Sequence, residues 1–252
     1  MKIARFSTGE DPRYGIVDGD DLVVLVGDPM FNGFETTEER VPLSGAKLLA
    51  PVIPRSKVVA VGRNYVEHAH ELGNDVPDHP IIFLKPNTSV IGPGDTIVLP
   101  PDSSRVEHEA ELAIVIGSIA KNVRAEDYAD VVFGYTVAND VTARDLQKLD
   151  GQWARAKGYD TFCPIGPVIE TDFDFTDARI EARVNGDVRQ LGTTADMIFG
   201  IPEIVAFASR VFTLLPGDLI LTGTPAGVGP FTSGQTVEIT IAGIGTLTNV
   251  AR

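Results

Sequence analysis

A single cysteine, Cys163, stands in a chain of 252 residues, so no internal disulfide can form. A reducing compartment is the expected setting, and a buried, inert thiol is the plainest role for it. No apolar run approaches the roughly 18 residues that a membrane-spanning helix requires. The N-terminal stretch Met1-Lys2-Ile3-Ala4-Arg5-Phe6 lacks the long apolar core of a secretory signal. The cytoplasm is therefore the expected location. Basic residues are in the minority: 21 Lys and Arg against 35 Asp and Glu give a net charge of −14. Nucleic acid and anionic membrane surfaces are poor partners for such a chain. A small anionic substrate is not excluded, because a site can be locally positive. Trp153 is the one tryptophan, which argues against a carbohydrate-binding surface built on exposed aromatic platforms.

What the chain does hold suffices for a sizeable core. Its length fits one large domain, or a large one with a small companion. Residues 1–50 read as a small β-rich segment, with strands at Lys2 to Phe6, Tyr14 to Val17 and Leu22 to Val26 between Gly and Asp turns. Leu49-Ala50-Pro51-Val52-Ile53-Pro54 reads as a linker, because two prolines restrict its backbone. Residues 51–252 then form the larger unit. Strands are predicted at Val58 to Val61, Ile81 to Leu84, Val131 to Ala138 and Ile180 to Val184. Three more follow at Leu219 to Thr222, Thr236 to Ile241 and Thr246 to Val250. Asn185-Gly186 marks a tight hairpin. Helices are predicted from Val66 to Leu72, stopped by Gly73-Asn74, and around Pro202 to Val211. The fold class is mainly β with short helices (α+β).

Chemistry concentrates in Val106-Glu107-His108-Glu109-Ala110-Glu111-Leu112 and the β-branched run that follows. Read as one buried strand, it puts Glu107, Glu109 and Glu111 on one face and His108, Ala110, Leu112 and Ile114 on the other. Buried carboxylates need a partner or a metal. Asp140, at the end of a neighbouring strand, supplies another. Two strand glutamates and one aspartate make an all-oxygen set suited to Mg²⁺, Mn²⁺ or Ca²⁺ rather than zinc. Spacing alone does not choose among the three glutamates, and a solvated acidic edge strand is the competing reading.

Thr142 and Asp145 have capping-box spacing and open a helix on which Arg144 and Gln147 share a face. His68 and Glu71 are three apart on the short predicted helix. A carboxylate there can hold one imidazole nitrogen and leave the other as a base. For such isolated pairs a polar surface helix is the plainer reading. Lys157 opens the irregular stretch Ala156 to Pro167, whose prolines and glycines can hold its ammonium inward, against a developing oxyanion. Leu221 to Gly229 is a Gly-rich turn after a strand, without the lysine and spacing of a phosphate-binding loop.

Several stretches, in order, resemble the fumarylacetoacetate hydrolase family. They are Gly62-Arg63-Asn64-Tyr65 with His68 and Glu71, Phe83-Leu84-Lys85-Pro86, Glu109-Ala110-Glu111-Leu112, and Asn139 to Gln147. Lys157 with Asp160-Thr161-Phe162, Asn185-Gly186, and Thr222 to Gly229 complete the set. The resemblance runs from about residue 51 to the C-terminus. It implies a mixed, rolled β-sandwich and a homodimer. It implies that Glu109, Glu111 and Asp140 bind Mg²⁺ or a similar ion, in preference to Glu107. It further implies a His68–Glu71 dyad on a lid helix, a catalytic Lys157, and a substrate pocket lined by Arg144, Gln147 and Thr224. Residues Leu146 to Ala156 are expected to shape the far end of that pocket.

The expected function is that of a divalent-metal-dependent enzyme on small-molecule 2-oxo or enol acids. Hydrolytic C–C cleavage of an acylpyruvate or fumarylacetoacetate-like substrate is the leading expectation. Isomerisation of 2-hydroxyhepta-2,4-diene-1,7-dioate and decarboxylation of oxaloacetate are the alternatives. A non-catalytic module that binds metal or organic acid is a remote rival, since a mere binder needs neither the dyad nor Lys157. Glu107→Gln is expected to be close to neutral.

Overall fold

The apolar run after Glu109 forms the strand Ala110–Ile116, in which every residue is buried. It is covered on both faces, so it shows no polar alternation. Leu112, Ile114 and Ile116 enter the main core, while Ala113 and Val115 face a second, smaller cluster with Val58, Ala60, Ala138 and Leu221. Burying one such aliphatic side chain contributes about 1.5–3 kcal/mol. A charged residue on this strand therefore competes with a strong apolar background. The computed structural model describes residues 1–252.

Ala110–Ile116 lies near the middle of a twelve-stranded mixed sheet. On one side it pairs antiparallel with Val132–Asn139, which pairs with Cys163–Glu170. On the other it pairs with Leu219–Leu221, which runs parallel to Val58–Gly62, the partner of Ile81–Lys85. A five-stranded sheet, including Arg179–Val184, Thr236–Ile241 and Gly245–Ala251, shares the main core: Ile180, Ile239 and Leu247 pack in one cluster with Ile114 and Val137. The two sheets enclose that core as a sandwich. Asn185 and Gly186 both have positive φ, at 50° and 84°, and join Arg179–Val184 to Asp187–Thr193 by the tight hairpin that their residue types demand. The helix Ile201–Val211 has Pro202 in its first turn and buries Ile201, Ile204, Val205 and Ala208, the spacing of one helical face.

Three sequence expectations change. The acidic run is not one strand: Val106–His108 belongs to a small three-stranded sheet, and the ladder breaks at Glu109 before Ala110–Ile116 begins. The Thr142–Asp145 capping box does not form. Thr142–Ala143 is a short strand, and Thr142 Oγ1 donates to the Asp140 carbonyl. Asp145 instead accepts from Ser103 Oγ and Ser104 N, which tie the loop before Val106 to the helix. Lys157 lies on the short helix Ala154–Gly158, not on irregular backbone. The prolines beyond it sit inside the strand Cys163–Glu170, where its pairing with Val132–Asn139 is irregular and tolerates a missing N–H. The prolines of the expected linker are buried, and Lys2–Ser7 pairs with Cys163–Glu170, so the N-terminal strands continue the large sheet.

Candidate active site

Two elements meet at the break after His108. Asp140 N donates to the Glu109 carbonyl at 2.9 Å, and Glu109 N donates to Asn139 Oδ1 at 3.0 Å. This reciprocal pair holds Glu109 and Asp140 side by side. Glu111 points from the central strand toward the turn after Leu219–Leu221, where Gly223 N donates to Glu111 Oε2 at 2.6 Å. Gly223 has φ +94°, and a Cβ there would lie 2.7 Å from Asn64 Cβ, so only glycine brings this N–H so close. Ligand oxygens of Glu109, Glu111 and Asp140 lie within 4.8 Å of one another.

Cations surround the cluster unevenly. Lys157 Nζ donates to Glu109 Oε2 at 2.6 Å and to Asp140 Oδ2 at 2.7 Å. Lys85 Nζ donates to Asp140 Oδ1 at 2.5 Å. Arg144 donates to Glu107 Oε2, to Gln147 Oε1 and to Glu109. Glu111 has no cation within salt-bridge distance; its one hydrogen bond comes from Gly223. Burial pushes the Glu109 carboxyl up, but Lys157 and Arg144 outweigh it and hold it well below its ordinary value. Burial pushes Glu111 up, and Asp140 and Glu109 add to the rise. Burial opposes the Lys157 charge, yet Asp140 and Glu109 keep its pKa raised.

The residues fit a hard divalent cation. Three carboxylates converge without histidine or cysteine, and one of them is buried with no positive partner. Glu107 is not part of this set. Buried and held by Arg144 and Arg105, it fixes the arginine beside the cluster rather than facing an ion.

The dyad forms on the helix Val66–Glu71. Gly73 N and Asn74 N close its C-terminus on the carbonyls of His70 and Ala69. His68 Nδ1 lies 3.3 Å from Glu71 Oε2, and Glu71 also accepts from Gly227 N at 3.1 Å. Burial lowers the His68 pKa, with Glu109 and the Glu71 hydrogen bond opposing in part.

A cavity of about 310 Å³ joins these groups. His68, Glu109, Glu111, Asp140, Arg144, Gln147, Lys157 and Thr224 all line it, and Glu71 stands behind His68. Lys148, Gly151 and Trp153, from the Leu146 to Ala156 segment, also line it.

Three supporting residues received no role from the sequence reading, although Lys85 and Asn64 lie in the stretches that carry the family resemblance. Lys85, 1% exposed, ends an apolar strand; only its presence in Ile-Ile-Phe-Leu-Lys marks it. Gln190 Oε1 accepts from His108 Nδ1 and Ala110 N, while its Nε2 donates to Thr224 Oγ1 and the Pro225 carbonyl. It pins the Thr224 turn to the strand break. Asn64 bridges Phe199 and the Thr222 carbonyl. The role of neither amide is legible locally, because its partners lie far along the chain.

Comparison with known proteins places this arrangement. Residues 57–252 match the family described as fumarylacetoacetate (FAA) hydrolase, C-terminal. The chain belongs to the fumarylacetoacetate hydrolase family. Members of this family are enzymes, and so is this protein. Residues 1–51 match a second family, described as Rv2993c-like, N-terminal. Oxaloacetate tautomerase YisK of Bacillus subtilis is 45% identical over 82% of this chain and 73% of its own. The crystal structure of a 5-carboxymethyl-2-hydroxymuconate delta-isomerase from Mycobacterium smegmatis superposes with a TM-score of 0.93 at 47% identity, over 100% of this chain and 99% of that one. A maleylpyruvate hydrolase from Sphingobium sp. SYK-6, solved with manganese(II) and pyruvate, superposes at 0.83 with 36% identity, over 100% and 98%. These fumarylacetoacetate hydrolase relatives share the mainly β, mixed-sheet architecture expected from sequence. No helix of this chain is long and apolar enough to cross a membrane.

Proposed function

We propose that this chain is a divalent-metal-dependent enzyme that moves a proton on a small 2-oxo or enol acid, as a tautomerase or isomerase. The observation that carries this reading is the buried His68, held by Glu71, in one cavity with the acidic triad and Lys157. Glu109, Glu111 and Asp140 would hold the ion, Mg²⁺ first, with Mn²⁺ or Ca²⁺ as substitutes. When bound, such an ion neutralises charge on the carboxylate and keto oxygens of a 2-oxo acid.

The protein's own groups do the rest. Glu71 accepts the Nδ1 proton of His68, which leaves the Nε2 lone pair free. With its pKa lowered by burial, His68 is neutral at pH 7 and able to take a proton from the carbon next to the ketone. Lys157, cationic and buried, hydrogen-bonds to the oxygen on which negative charge develops. The same His68 then returns the proton at another position of the conjugated system. Arg144, Gln147 and Thr224 border the substrate.

Hydrolytic C–C cleavage is the second reading, since the same dyad can activate water; the 36% identity to a maleylpyruvate hydrolase favours it. The relatives with tautomerase and isomerase activity are closer, at 45% and 47%. A cytoplasmic homodimer, without nucleic-acid or membrane partners, belongs to the same proposal; it rests on the family resemblance and the acidic composition.

The test is a panel of oxaloacetate, acetylpyruvate, fumarylpyruvate and 2-hydroxyhepta-2,4-diene-1,7-dioate in D₂O, with Mg²⁺ and with chelator. Mg²⁺-dependent deuterium uptake without pyruvate release supports proton transfer. Pyruvate release from acetylpyruvate or fumarylpyruvate selects hydrolysis, and pyruvate with CO₂ from oxaloacetate selects decarboxylation. No turnover of any member with bound metal overturns the enzyme class proposed.

A further inference from the structure

A second cavity, of about 350 Å³, lies where the N-terminal strands meet the larger unit. Arg5, Tyr14, Asp28, Phe31 and Arg55 line it, and it shares no lining residue with the cavity of the acidic triad. Arg5 and Tyr14 stand directly opposite each other in the paired strands Lys2–Ser7 and Arg13–Asp18, so both project from one sheet face. Ala4 and Phe6, on either side of Arg5, enter the main core, and strand alternation turns the arginine to the other face. Arg55 arrives from the segment that leads into Val58–Gly62.

The two arginines share one neighbour and have no counter-charge. Burial and Asp28 push the Tyr14 hydroxyl up to about 12, and Arg5 and Arg55 both oppose the rise. Neither guanidinium has a carboxylate within 4 Å. Asp28, the one acid on the wall, accepts from Met30 N at 3.0 Å and caps the four-residue helix Pro29–Asn32. Two like charges, one of them half-buried, are thus held at one cavity on a chain of net charge −14. Such an arrangement costs free energy that an anion between them relieves. The opposite wall is apolar. The Arg55 guanidinium lies 4.3 Å from the centroid of the Phe31 ring. Phe31 is 50% exposed, and Ile53, also on the wall, is 57% exposed. Exposed apolar side chains beside paired arginines suit a ligand with an anionic end and an apolar body.

We propose that this cavity binds a small organic anion at a site separate from that of the acidic triad. The carboxylate or phosphate of the ligand lies between Arg5 and Arg55, with the Tyr14 hydroxyl donating to it, and its apolar body rests on Phe31 and Ile53.

Calorimetric titration of the full chain with inorganic phosphate, phenyl phosphate and benzoate tests the site. At least one of the two aryl anions is expected to bind one to one with a Kd of about 1 mM or lower, weakening as salt rises. Tighter binding of phenyl phosphate assigns the anionic end to phosphate, and tighter binding of benzoate assigns it to a carboxylate. Arg55→Met, at an exposed position that folding does not depend on, is expected to weaken binding by about tenfold or more, and Arg55→Lys to retain part of it. Arg5→Met should repeat the loss, while Glu111→Gln, in the other cavity, should leave the affinity unchanged. Failure of both aryl anions to bind at millimolar concentration overturns the site. So does binding that both arginine variants leave intact, or that Glu111→Gln removes, since the anion then sits with the acidic triad. Phenyl phosphate binding no tighter than inorganic phosphate, with benzoate not binding, overturns the organic ligand.

Discussion

Glu71, on the helix that carries His68, accepts a hydrogen bond from the backbone N–H of Gly227, 156 residues further along the chain. The contact joins the dyad helix to the turn that also presents Gly223 and Thr224 to the cavity. Glu71 therefore does two things at once: it orients an imidazole, and it ties the helix down over the site.

His68→Asn should lower turnover by at least about 100-fold, the usual contribution of a general base. The pH profile carries the sharper signature. The His68 pKa is lowered by burial, so the wild-type rate should fall only as pH drops below the ordinary histidine value of 6.5. The Glu71 hydrogen bond raises that pKa. Glu71→Gln should therefore shift the acid limb to lower pH while reducing the plateau. A shift to higher pH would refute the pairing.

Divalent cation should stabilise the fold. At 100 times Kd, Mn²⁺ or Mg²⁺ adds about 2.7 kcal/mol, a Tm rise of roughly 5–10 °C for a chain of this size. Glu111→Gln should abolish that rise. Without metal, the same variant should be at least as stable as wild type, because Glu111 is the carboxyl that burial and its neighbours push up. A scanning fluorimetry titration reads both.

Glu107→Gln is not the neutral change that the sequence suggested. Its carboxylate is 1% exposed and holds Arg144, which in turn touches Glu109 and Gln147. Breaking a buried ion pair from one side costs about 3 kcal/mol. Urea unfolding should show a loss of that order, with Mn²⁺ affinity largely retained. Loss of Mn²⁺ binding with unchanged stability would make Glu107 a ligand after all.

Gln190→Leu should loosen the site without touching it. It strands His108 Nδ1, Ala110 N and the Pro225 carbonyl in the interior. At about 1–3 kcal/mol for each group left unsatisfied, a loss of at least about 2 kcal/mol is expected. Denaturant unfolding measures it directly, and an unchanged midpoint would show that water replaces the amide.

Removing residues 1–50 should yield insoluble protein. The strand Cys163–Glu170 would lose Lys2–Ser7 from its edge, and Ile3 and Phe6, both fully buried, would leave their packing. An uncovered edge in the middle of a sheet invites pairing with other chains. A monodisperse, active truncate by light scattering and assay would show that the edge is covered some other way.

Sequence by itself determined what depends on neighbours along the chain. The period and length of apolar runs placed most strands and the helices Val66–Glu71 and Ile201–Val211, because side-chain alternation and helical faces are local properties. Asn185-Gly186 specified its turn because both residues tolerate positive φ. The chemical types at the site were equally legible, since an excess of carboxylates among apolar residues is visible wherever the strand ends. Tertiary structure decided which of them meet. The break at Glu109, the reciprocal bonds with Asn139 and Asp140, the entry of Lys85 and the crosslink through Gln190 join residues 30 to 82 positions apart, or 55 in the case of Lys85. Those pairings depend on which strands lie side by side, and no local propensity encodes that. The same holds for Glu107, which is identical in type to Glu109 and Glu111. Its role differs only because the fold gives it Arg144 and Arg105 as partners and leaves Glu111 with a backbone N–H alone.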